Sequence, residues 1–114
     1  MNLDLKRLRR GEVYWIRLDP TVGSEIRKTR PSVIISNNAQ NRATSRFIIA
    51  PLTTSITKIY PQHVAVEIKG RKSKVILDQI RTVDYQRVGA KIGKLTNEEM
   101  EKINIGLRLV LELG

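Results

Sequence analysis

Hydrophobic positions along this chain come in short bursts divided by polar and turn-forming residues. In Gly11–Leu18, Val13, Trp15 and, less regularly, Leu18 mark one face of a strand, with Trp15 expected in the core. Asp19-Pro20-Thr21-Val22-Gly23 ends that strand, and a polar loop runs on to Arg30. The β-branched run Ser32–Ser36 predicts a buried strand. Asn37–Arg42 predicts a polar turn or a single helical turn. Arg46–Leu52, His63–Ile68 and Val75–Val83 predict three more strands, and Val88–Leu95 a short sixth. Between the fourth and fifth, Lys69–Lys74 is expected to be a basic turn.

The period then changes. Thr96-Asn97-Glu98-Glu99 has the form of a capping box, and Met100, Ile103, Leu107 and Val110 follow at helical spacing. This predicts a helix over 96–112 whose apolar stripe closes one end of a sheet. Five or six short strands and one helix predict a mainly β domain, a small, strongly curved antiparallel sheet or partly open barrel with a C-terminal helix. Residues 1–9 are expected to be a basic arm and residues 10–114 a single domain.

Charge narrows the choice of partner. The chain has 114 residues, enough for one domain with a core, and a formal net charge of +10. Nineteen of its 21 basic side chains but only seven of its 11 acidic ones fall within residues 1–95. A basic body calls for a polyanion: nucleic acid, a membrane surface or an acidic protein. The absence of cysteine excludes disulfides, thiolate metal sites and cysteine nucleophiles. No apolar run is long enough to span a bilayer as a helix, and the charged N-terminus lacks the core of a signal peptide, so a cytoplasmic protein is expected.

Three stretches carry candidate chemistry. In Gly23–Pro31, Arg27, Lys28 and Arg30 gather with Glu25, Ser24 and Thr29 just before a strand, a grouping suited to holding phosphate. Thr53-Thr54-Ser55 puts three hydroxyl donors at a strand end. Asp78-Gln79-Ile80-Arg81 places polar groups inside an otherwise apolar run, where structural hydrogen bonds are the ordinary use.

Taken in order, Arg10-Gly-Glu-Val-Tyr14, Leu18-Asp-Pro20, Gly23-Ser-Glu25, Lys28-Thr-Arg-Pro31, Val33-Ile-Ile-Ser-Asn37, Pro51-Leu-Thr53 and Asp78-Gln-Ile-Arg-Thr82 resemble the MazF/PemK toxins of bacterial toxin–antitoxin pairs. The resemblance runs from Arg10 to the C-terminus. It implies an SH3-like barrel, a homodimer, and a sequence-specific endoribonuclease that cuts single-stranded RNA, mRNA included, with no metal or other cofactor. It also implies an acidic antitoxin whose disordered segment occupies the RNA groove, and no membrane partner. Such a toxin blocks translation and growth until neutralised.

On the same resemblance, Arg30 matches the catalytic arginine and Thr53 the catalytic threonine. Cutting would proceed by attack of the ribose 2′-OH on the phosphodiester. Arg30 suits the developing phosphorane charge but is a poor base, because guanidinium keeps its proton. Glu25 is nominated as base or as orienter of Arg30, with Asp78 second. Some members carry a flap histidine where this chain has Ser24 and an arginine two residues before the aspartate where it has Ile76, and His63 is expected to be structural or exposed. Ser24, Lys28, Thr54, Ser55, Asp78, Gln79 and Arg81 complete the expected groove, with Gln79 and Asp78 able to read bases. The alternatives are a CcdB-like toxin that poisons DNA gyrase and a non-catalytic RNA-binding barrel.

Overall fold

A computed structural model describes residues 8–114. The alternation noted above becomes two cores on opposite faces of one curled sheet. In β1 (Glu12–Arg17), Val13 points to one core, while Tyr14 and Ile16 point to the other. β2 (Thr29–Ile34) pairs with it antiparallel and begins three residues earlier than the β-branched run suggests. α1 (Asn38–Ala43) is the polar turn, a short helix capped by the Asn37 side chain, which accepts from the Gln40 amide.

β3 (Arg46–Thr53) is the long central strand. Its first half pairs with β6 (Arg81–Asp84) on one side, β2 borders the other, and its end turns toward β5 (Arg71–Ile76). β4 (His63–Ile68) forms a hairpin with β5, and β7 (Val88–Lys94) closes on β1. The path is β4-β5-β3-β2-β1-β7, with β6 attached to β3, all antiparallel. This is the mainly β, curled half-barrel with a C-terminal helix that the sequence predicts, built from seven strands.

Two details correct the sequence reading. Lys69–Lys74 is not a turn throughout: only Lys69 and Gly70 make the turn, and β5 starts at Arg71. Val75–Val83 is not one strand. A 3₁₀ turn, Leu77–Gln79, divides it into β5 and β6. The fully buried Leu77 is driven into the core beneath α2 (Asn97–Val110). There it lies against Gly106, where a Cβ would run into Leu77 Cδ1.

The capping box of α2 is present as predicted. The Glu99 amide donates to Thr96 Oγ1, and the Thr96 amide donates to Glu99 Oε1. Ile103 is buried, and Met100, Leu107 and Val110 pack on the core that contains Val33, Leu52, Val75 and Leu77. The second core holds Tyr14, Ile16, Leu18, Ile34, Phe47, Ile49 and Val83.

Most of the expected arm, residues 1–7, lies outside the described residues. Its end does not hang free: Leu8 is 5% exposed in the second core, and the Arg9 amide donates to Glu12 Oε1. Among the described residues, no helix is long and apolar enough to cross a membrane.

Candidate functional site

The β2–β3 register pairs Ser32 with Pro51 and Ile34 with Ile49. Arg30 precedes that ladder on β2 by two residues, and Thr53 follows it on β3 by two, where β3 has turned to pair with β5. Both residues line one cavity of about 410 Å³, within the usual range of ligand sites. Its other walls come from β1 (Trp15), β2 (Thr29, Pro31), β3 (Leu52) and the residue after it (Thr54), the β4–β5 hairpin (Ile68, Lys69, Arg71, Ser73) and β7 (Ile92).

Three cations and four hydroxyls therefore surround an apolar floor. None of the lining residues is acidic.

Arg30 is oriented from behind. Its Nε donates to the Arg27 carbonyl at 3.2 Å, and its two terminal nitrogens have no hydrogen-bond partner among the described residues. Thr53 Oγ1 accepts from the Ser55 amide at 3.2 Å, which leaves the hydroxyl proton to donate elsewhere. A two-pronged cation and an alcohol donor thus face one space. This arrangement can bind a phosphate and stabilise added negative charge on it.

Of the other expected residues only Thr54 lines this cavity. Glu25, Asp78, Gln79 and Arg81 line a second, smaller hollow of about 150 Å³ with Leu18, Ile26, Pro51 and Ile80. Glu25 Oε1 accepts from the Val22 amide at 2.6 Å, closing a tight turn within its own loop. Gln79 Oε1 accepts from the Ile26 amide at 2.7 Å. Arg81 Nη1 donates to the Leu18 carbonyl at 2.8 Å rather than to Asp84, which takes the Gln86 amide. Ser24, Lys28 and Ser55 are exposed and line neither space. Lys28 takes a left-handed φ of 69°, and its carbonyl accepts from the Leu18 amide, closing the neck of the loop.

His63 is apart from both hollows. Its Nδ1 accepts from the Tyr60 amide, and its ring meets Tyr60 edge-on. Burial, helped by the Lys74 charge, holds its pKa below the ordinary value against the pull of Asp78. This fits the structural role expected of it.

The sequence reading missed Trp15, Lys69, Arg71, Ser73 and Ile92 as cavity residues. Trp15 is a correction: it is 45% exposed in the cavity wall, not in the core. It shares a strand face with Val13 and Arg17, and that face leaves the core as the sheet curls. The exposed arginine two residues on was the signal. Arg71 and Ser73, also two apart, were hidden by reading the basic run as a turn.

Comparisons with known proteins agree with one another. Residues 9–111 match the PemK-like, MazF-like toxins of type II toxin–antitoxin systems. The endoribonuclease EndoA of Bacillus subtilis is 40% identical over 111 residues, which cover 93% of this chain and 96% of the relative. The solved structure of an endoribonuclease in complex with its cognate antitoxin, from a mycobacterial species, is similar at a TM-score of 0.79. It is 32% identical, with 93% of this chain and 96% of that one covered. MazF of Deinococcus radiodurans shares the fold at a TM-score of 0.82 and 22% identity, covering 92% of this chain and 96% of that one. On its sequence and its fold alike, the chain belongs to the PemK/MazF family of toxins of type II toxin–antitoxin systems.

Proposed function

We propose that this toxin is an endoribonuclease that cuts single-stranded RNA, mRNA included, with Arg30 and Thr53 holding the scissile phosphate. The observation that carries this reading is their convergence on one cation-lined cavity. Nuclease activity as such is supported by 40% identity to an endoribonuclease along nearly the whole of both chains.

The ribose 2′-OH is the nucleophile. It attacks phosphorus, the bond to the 5′ oxygen breaks, and the products are a 2′,3′-cyclic phosphate and a 5′-OH. Negative charge on the phosphoryl oxygens is greatest in the transition state. The free end of the Arg30 guanidinium and the Thr53 hydroxyl meet it there, where such contacts raise the rate most. Lys69 and Arg71 hold neighbouring phosphates, and Trp15 offers its ring face to a base. Glu25 serves the loop that carries Arg30, because one of its carboxylate oxygens holds the Val22 amide and the side chain lines the other hollow.

A defined RNA pool incubated in excess chelator tests the assignment. Wild type is expected to leave 5′-OH ends at a short sequence. Arg30→Ala and Thr53→Val should each slow cutting on the order of a hundredfold while the circular dichroism spectrum is kept. Wild-type rates in both variants, or RNA that is bound and released intact by the wild type, would overturn it.

The partners follow from the same surface. The cationic cavity suits an acidic, disordered antitoxin segment that orders on binding; a relative 32% identical has been solved with its cognate antitoxin. On α2, Ile105 and Leu109 are 57% and 62% exposed one turn apart, an apolar stripe suited to a second copy of the chain. The toxin is proposed to work as a homodimer through that stripe, and in the cytoplasm, where RNA is its substrate.

A further inference from the structure

We propose that Gln79 is a positioning residue for cleavage, fixing the loop that orients Arg30 rather than reading a base. The inference rests on the reading of Arg30 as the phosphate-holding group. Its basis is a continuous path of contacts. Gln79 Oε1 accepts from the Ile26 amide at 2.7 Å. The next residue, Arg27, presents the carbonyl that accepts from Arg30 Nε at 3.2 Å. One side chain on the 3₁₀ turn thereby holds the chain two peptides before the carbonyl that makes the only hydrogen bond of the Arg30 guanidinium among the described residues.

The other leg of the loop is held from the same neighbourhood. Arg81 Nη1 donates to the Leu18 carbonyl, and Arg87 Nη1 donates to the carbonyls of Arg17 and Asp19. Ile26 is half-buried against the second core. Its apolar contact fixes how deep the loop sits, and the Gln79 bond fixes its rotation. Without that bond the Arg27 carbonyl drifts and the guanidinium loses its bearing on the phosphate. Its charge stays, so attraction of RNA to the cavity survives. The loss therefore falls on the chemical step and not on binding.

Two variants separate this from the alternatives. Gln79→Met keeps length but has no acceptor, whereas Gln79→Glu keeps an acceptor for the Ile26 amide. Amide exchange is followed in the free protein and kcat and KM on a short RNA. In Gln79→Met the Ile26 amide should exchange on the order of tenfold faster, the loss of about one hydrogen bond. The Ile35 amide, which donates to the Ile48 carbonyl of β3, should keep its protection. kcat should fall roughly tenfold with KM within about twofold and the cut sequence unchanged. Gln79→Glu should restore protection of Ile26 and most of kcat.

Unchanged exchange of Ile26 in Gln79→Met overturns the proposal, as does a shift in the cut sequence with exchange unaltered, which would make Gln79 a base reader. Should wild type fail to cut RNA, the exchange measurement still decides the loop contact, so that failure falls on the ribonuclease reading alone.

Discussion

A buried carboxylate shows how single side chains hold the N-terminal edge of this toxin. Glu12 accepts from the Arg9 amide and the Tyr14 hydroxyl on one oxygen, and from Lys91 Nζ at 2.7 Å on the other. Burial pushes its pKa up, but the Lys91 ammonium and these donors more than offset that and hold it below the ordinary 4.5. With the folded value depressed, its contribution is complete above pH 4.5 and is lost as pH falls through the folded value. Glu12→Gln is therefore expected to lower stability by about 1–3 kcal/mol at pH 7 and by less at acid pH. Denaturant melts at several pH values measure this. The residue scale is also where the sequence was least legible. Arg30 and Thr53 could be named from a family pattern, and both line one cavity. Glu25 could not be placed, because its contact is with an amide three residues away in its own loop, and nothing in residue type distinguishes a base from a turn-closing acceptor.

Elements were legible where a local signal sufficed. The Thr96–Glu99 box starts α2 because both of its hydrogen bonds are made within one turn. The alternation of His63–Ile68 likewise matches β4 residue for residue. Val75–Val83 misled because its break has a tertiary cause. Leu77 turns inward to pack under α2, and only glycine at position 106 lets the helix approach that closely. Gly106→Val should thus destabilise the fold by about 1–3 kcal/mol, although valine is a better helix former than glycine. Thermal unfolding followed at 222 nm should register the loss; equal or greater stability would mean that Leu77 moves aside without cost. The β4–β5 hairpin was misjudged for another reason. Four cations in six residues look like a solvated turn, whereas here alternate ones face the cavity, and Lys74 reaches back to the Lys58 carbonyl.

For the molecule as a whole, curvature puts the chemistry where it is. β3 touches β2, β5 and β6, so its end is the point at which the sheet bends. The site opens there, beside a hairpin and a loop that approach from opposite sides. The exposed stripe of α2 lies on a different element from the cavity lining. A charge pair introduced there, Ile105→Glu with Leu109→Glu, should shift the light-scattering mass from two chains to one. A mass of one chain in the wild type would remove the dimer. The absence of acids from the cavity lining has one more consequence. A cleft walled by cations has no electrostatic means of telling one phosphodiester strand from another. On charge alone a deoxyribose strand is drawn in like a ribose one, yet it brings no hydroxyl with which to break itself. In the proposed reaction, then, what charge leaves unsorted is sorted by the captive and not by the trap.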